Sequence, residues 1–206
     1  MYPPTGTVST KVSPSPSATA RRSASGRPLA AAEAELAETG LKAFSLRRVA
    51  RPAGVSHAAP AHHFGDAAGL LTALAAEGYR QFILSMQAKQ ALAAPDPQAQ
   101  MVAAGLGYIA FATERTALFR LIFSSSRPDF RAADLADQSG RAFQHLTGLV
   151  TALTGGQDPV DVASVWVMSH GLADLTASGQ LSSFAARTPA DRDRAFATIL
   201  ARSIPG

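Results

Sequence analysis

Hydrogen-bonding and cationic side chains crowd one short stretch of this chain, Phe44 to Phe64. They are Ser45, Arg47, Arg48 and Arg51, then Ser56, His57, His62 and His63. Such residue types hold phosphate oxygens and meet the edges of bases. Metal chemistry does not suit the pattern. His57, His62 and His63 are five and one residues apart, where about four would place two ligands on one helical face, and no carboxylate accompanies them. Bond-making chemistry has no foothold either, because the sequence holds no Gly-rich phosphate loop, nucleophile elbow or paired catalytic carboxylates. Without cysteine, disulfides and thiolate sites are excluded. No enzyme activity, cofactor or metal is expected.

Positioning these side chains requires two short helices and a tight turn. Ser45 can cap the first helix, about Leu46 to Arg51, with a hydroxyl that accepts from free N–H groups one turn on. Gly54 stands where the chain must reverse, a place for a left-handed conformation that glycine adopts without cost. Val55 can plug the space between the helices, and Ser56 caps the second, about His57 to His63. Two helices joined by a short Gly-containing turn form the helix-turn-helix pattern, whose second helix can lie in a DNA major groove. His57 then stands where it can donate to a base acceptor, and the methyls of Ala58 and Ala59 where they can meet thymine methyls. Ser45 and Arg47 are candidate phosphate contacts. His62 and His63 either face phosphate or pack, and Arg48 is read as a solvated charge. Pro60 falls in the first turn, where a missing N–H is tolerable.

Composition agrees with an all-α chain. Of 206 residues, 47% are hydrophobic, with Ala and Leu abundant and β-branched runs scarce. Charge is uneven: residues 1–64 hold eight Lys and Arg against three acids, while the remainder is close to neutral. A basic N-terminal third suits a nucleic-acid module joined to something else. No apolar run approaches the length of a membrane span, and no signal-peptide core opens the chain, so a cytoplasmic location is expected.

Three segments follow. Residues 1–26, rich in Pro, Ser and Thr, read as a disordered tail that cannot bury enough surface to order itself. Residues 27–65 form the DNA-binding domain, whose first helix runs from about Pro28 to Thr39 and stops at Gly40. Residues 66–206 form a helical ligand-binding and dimerisation domain, with residues 66–92 as a long connector capped by Asp66. Asp96-Pro97, Asp158-Pro159 and Thr188-Pro189-Ala190-Asp191 each pair a capping residue with a first-turn proline and open the fifth, eighth and ninth helices. The eighth helix carries apolar residues nearly all round: Val160, Ala163 and Val167 on one face, Val162, Val165, Trp166, Leu172 and Leu175 on the other. Such a helix must be covered on both sides, which predicts a symmetric homodimer through helices 8 and 9.

Several runs carry a family likeness: Leu46-Arg47-Arg48-Val49-Ala50, Ala53-Gly54-Val55-Ser56, His62-His63-Phe64 and Gly69-Leu70-Leu71. Through them the chain resembles the TetR family of one-component bacterial regulators, over about residues 28 to 75. Its C-terminal part is similar to a subtype marked by a Trp-His-Gly signature, here Trp166, His170 and Gly171. The resemblance implies a ligand-responsive transcriptional regulator, a repressor of a palindromic operator on double-stranded DNA, with a small apolar effector bound among helices 4 to 8. The residues it suggests for that pocket are Met86, Met101, Gly105, Tyr108, Phe111, Phe119, Phe123, Trp166 and His170, with Gly105 and Gly107 leaving room. Each also reads as ordinary core. Three residues depart from the family pattern: Ala61 replaces an aromatic, Ala67 replaces a phosphate-holding Lys, and Pro52 stands late in a helix. They suggest a second reading, a helical ligand-binding or scaffold protein whose DNA reader has weakened.

Overall fold

The computed structural model of this chain describes residues 18–50 and 64–202. Arg51, Pro52, Ser56, His57, Ala58, Ala59, Ala61, His62 and His63, and with them the expected recognition helix, lie outside the described residues. Within them the elements are helical: α1 (Ala18–Ala43), α2 (Leu46–Ala50), α3 (Ala67–Gln90), α4 (Pro97–Glu114), α5 (Thr116–Phe123), α6 (Ala133–Thr154), α7 (Pro159–Ala177), α8 (Ser182–Ala185) and α9 (Pro189–Arg202). The chain is all-α as expected, and no described helix is long and apolar enough to cross a membrane.

Local chemistry sets most of the ends. Gly40, at φ 68 and ψ 174, breaks α1 near its end, in a backbone conformation that a Cβ would strain. Asp66 caps α3 by accepting from the Gly69 N–H at 2.8 Å. Asp96 does the same for α4 through the Ala99 N–H at 2.9 Å, and Asp158 for α7 through the Val160 N–H at 2.7 Å. Each carboxylate satisfies an N–H that has no partner within its helix. Two features differ from the sequence-based expectation. First, α1 begins at Ala18, inside the segment read as tail, and carries Pro28 in its interior. The stretch is rich in Ala and Arg, both strong helix formers, and the proline removes a single backbone bond. Second, the short helix α8 sits between α7 and α9.

The main core surrounds α3 and α4, and a smaller cluster of Met101, Val150, Val162 and Val165 lies between α4, α6 and α7. Leu70, Leu71, Leu74, Phe111, Leu118, Phe119 and Phe196 are all but fully buried in the main core. Each such side chain contributes about 1.5–3 kcal/mol relative to exposure. On one side α3 lies along α4, and on the other it packs against α6; α4 in turn carries α7 and α9. A Cβ on Gly107 would stand 2.5 Å from the Met86 Cα and the Ser85 carbonyl, so this glycine sets how closely α3 and α4 approach. The Ser85 hydroxyl uses that approach and donates to the Gly107 carbonyl at 2.8 Å. A Cβ on Gly105 would meet the Leu200 side chain of α9 at 2.7 Å. The room these glycines leave is therefore taken by α3 backbone and by Leu200.

The N-terminal helices dock on this body through α3 and α5. Ala32, Leu36, Phe44 and Val49 join the same core. Arg115 pairs with Glu33 of α1, and the Arg127 guanidinium donates to the Leu41 carbonyl at 3.3 Å.

Candidate functional site

Ser45 and Arg47 are the expected DNA contacts that fall within the described residues. The Ser45 carbonyl accepts from the Arg48 and Val49 N–H groups at 3.2 and 3.3 Å and so starts α2 through its backbone. Val49 and Ala50 are fully buried against α1, which turns Arg47 outward to solvent. Arg48 is less free than a solvated charge: its Nε lies 3.8 Å from the buried Glu35 carboxylate, which also accepts from Thr39. Ala67 packs against the core at the start of α3 and adds no cation there.

The second site is a cavity of about 320 Å³ between α3, α4, α6 and α7. Aromatic rings wall it from five helices and a loop: Tyr79 and Phe82 from α3, Tyr108 from α4, Phe123 from α5, Phe143 from α6 and Trp166 from α7, with Phe130 from the 124–132 loop. Met86, Met101, Ala104, Gly105, Ala142, Leu146, Leu149 and Val165 fill in between. Polar side chains are sparse on the wall, Ser139, His145 and Ser169 beside the two tyrosines and the Trp166 indole, and no Asp, Glu, Lys or Arg takes part. Charged molecules are disfavoured by such a wall, because a desolvated charge needs a partner.

Helix periodicity explains how the walls assemble. Tyr79, Phe82 and Met86 recur at three- and four-residue steps on α3, as Ala142, His145, Leu146 and Leu149 do on α6. The rings meet mostly edge to face: Phe82 against Tyr108 at 4.6 Å between centroids, and Phe82 against Phe123 at 5.4 Å. Tyr79 donates to the Ile122 carbonyl at 3.3 Å, and burial raises its pKa.

Behind one end of the cavity, the Tyr108 oxygen lies 2.8 Å from Nδ1 of His170. Burial pushes the Tyr108 pKa up, while the indole N–H of Trp166 partly offsets it. The Trp166 indole N–H already donates to the phenol oxygen, which leaves the phenol proton for the ring nitrogen, so His170 accepts at Nδ1. Burial also lowers the His170 pKa, partly offset by Asp174. Phe119 and Phe123 enclose the imidazole at 5.4 and 5.2 Å between centroids.

Of the residues suggested for a pocket, Met86, Met101, Gly105, Tyr108, Phe123 and Trp166 stand on this wall. Phe111 and Phe119 do not: they point from α4 and α5 into the core beneath it, 2% and 1% exposed. His170 stands behind Tyr108, one contact removed from the space. Sequence reasoning passed over Phe130, Ser139, Phe143, His145 and Ser169. Phe143 is 52% exposed and interrupts a polar stretch of α6, so no apolar stripe marked it. His145 joins the site through a partner 55 residues away.

Comparisons with known proteins bear on both sites. Residues 29–74 match the family model described as bacterial regulatory proteins, tetR family, and residues 101–203 match the tetracyclin repressor-like C-terminal domain. No curated protein sequence matches the chain. Among solved structures, a protein of unknown function from Rhodococcus sp. RHA1 is 26% identical, with a TM-score of 0.72 over 87% of this chain and 94% of its own. A TetR-like transcriptional regulator from the same organism superposes at TM-score 0.59 and 17% identity over 91% and 97% of the two chains. The fatty acid degradation regulator FadR from Bacillus halodurans does so at TM-score 0.65 and 13% identity over 87% and 98%.

Proposed function

The chain belongs to the TetR family of bacterial transcriptional regulators, and from that premise we propose that it is a ligand-responsive repressor, active as a homodimer on a palindromic operator. Residues 27–65 read DNA, with Ser45, Arg47 and the segment from Ser56 to His63 at the groove. Residues 66–206 bind the effector and join the two copies. One observation carries the reading: the uncharged, ring-lined cavity is walled by α3, the helix on which α1 also rests. A small uncharged molecule that fills the cavity and prefers one setting of α3 shifts the population between DNA-competent and incompetent dimers. The dimer interface would form on α7 and α9. Val160 and Val167 of α7 are each 70% exposed, and with Ala163 they make an apolar face that a second copy can cover.

A gel shift against the DNA upstream of the protein's own gene tests this reading. The expected result is a salt-sensitive complex with two protomers per operator, since phosphate contacts release counterions. Absence of any complex with upstream or random duplex at low salt sinks the DNA-binding claim and leaves a helical ligand-binding protein. A monomer mass by light scattering at micromolar concentration sinks the dimer.

A further inference from the structure

The orientation of one cavity group is fixed by hydrogen bonds that begin at a helix end. α3 finishes at Gln90, and its last carbonyls lack intrahelical donors. Gln100, in the first turn of α4, supplies one. Its Nε2 lies 3.1 Å from the Gln90 carbonyl and 2.9 Å from the Ala94 carbonyl. Two carbonyl oxygens can be faced only by the NH2 side of an amide, so the Gln100 Oε1 must point the other way. There it accepts from Gln90 Nε2 at 3.2 Å. The Gln90 amide is thereby fixed as well, with Oε1 directed at His145 Nε2, 2.9 Å away. An acceptor oxygen requires a donor, so His145 carries its proton on Nε2. Nδ1 is then a bare lone pair.

Nothing within the described residues satisfies that lone pair. Nδ1 has no hydrogen bond to the described residues, yet it is not sealed within the protein, so it remains accessible. The His145 ring is part of the cavity wall. Burial lowers its pKa, which keeps the ring neutral. Ser139, also on the wall, donates its hydroxyl to the Ala136 carbonyl at 3.1 Å.

We propose that His145 is the specificity-determining residue of the cavity: its Nδ1 accepts a hydrogen bond from the hydroxyl of a small, uncharged aromatic ligand whose ring lies among the cavity's aromatic side chains. This rests on reading the cavity as the effector site, and it names the chemical class that site takes. Anions are excluded because no cation lines the wall. Cations find no carboxylate to pair with, and only ring faces to attract them. Purely apolar rings fit but leave Nδ1 dry and unpaired, which a hydroxyl avoids. Gln90 and Gln100 act as positioning residues, since they touch His145 and not the ligand.

Four probes of one size separate these cases by titration calorimetry at neutral pH on the full chain: naphthol, its methyl ether, naphthoate and naphthylmethylammonium. Naphthol is expected to bind about tenfold more tightly than the ether, which keeps the shape and loses the donor. Both charged probes are expected to bind more weakly than either. In His145→Leu the naphthol and ether affinities become equal. In Gln90→Glu the new carboxylate favours a doubly protonated ring, Nδ1 becomes a donor, and the preference for naphthol over the ether is lost or reversed. That variant retains the imidazole and decides the matter if His145→Leu misfolds. Equal binding of naphthol and ether by the native protein overturns the assignment while leaving the cavity reading intact. So does a preference that survives His145→Leu, or tightest binding of either charged probe. Failure of all four to bind overturns the cavity reading together with it.

Discussion

One histidine stands on the cavity wall and another behind it, and their hydrogen bonds are used in opposite ways. At the α7 end, His170 accepts from Tyr108 and is enclosed by Phe119 and Phe123. Its hydrogen bond is spent inside the protein. At the α6 end, His145 stands on the wall with Nε2 tied to Gln90, and its Nδ1 has no partner among the described residues. Burial lowers both pKa values, so titration alone does not tell them apart. What separates a latch from an open acceptor is which nitrogen is already occupied and by what.

The largest expected effect that sharpens this contrast lies in packing. Phe119→Ala, beneath the His170 end, should lose about 3–5 kcal/mol of unfolding free energy in a denaturant titration. Phe143→Ala, half exposed beside His145, should lose less than about 1 kcal/mol. Similar losses at both ends would mean that the α6 end is as closed as the other. Next comes Tyr108→Phe, which strips the donor from His170 Nδ1 and should cost about 1–3 kcal/mol in the same assay. A neutral result would remove the latch. Third is pH. Both rings have folded pKa values below the ordinary 6.5. The unfolded chain therefore takes up protons first as pH falls, and unfolding free energy should be steady above about pH 7 and decline as pH falls through about 6.5. The smallest effect is Gln100→Leu: stability should change by less than about 1 kcal/mol, while the preference for naphthol over its methyl ether narrows as Gln90 and the His145 tautomer come free.

Much of the scaffold was legible because its signals are local. Asp66, Asp96-Pro97 and Asp158-Pro159 write helix starts within three residues, and Gly40 writes a stop by its own backbone. The family likeness of the reader segment rests on equally short runs. The cavity was legible only in part. An aromatic residue in an apolar helix looks the same whether it faces a void or a neighbour. Phe111 lies in the core and Phe123 on the cavity wall, a difference set by how α4 and α5 pack on α3, which no short window contains. Phe130 and Phe143 carried no stripe, and His145 became interpretable only when the α3–α4 turn brought Gln90 and Gln100 beside α6. Pro28 misled for a related reason: a proline fits a first turn well, yet an interior position costs a single bond.

Trp166 is the sole tryptophan of the chain, and it stands at the cavity, 42% exposed. Ultraviolet emission from the native protein excited at the red edge therefore originates at a single indole beside the vacant space. An incoming molecule would change its colour or brightness directly, so occupancy can be followed in unlabelled protein, in the presence of DNA, without engineering a dye.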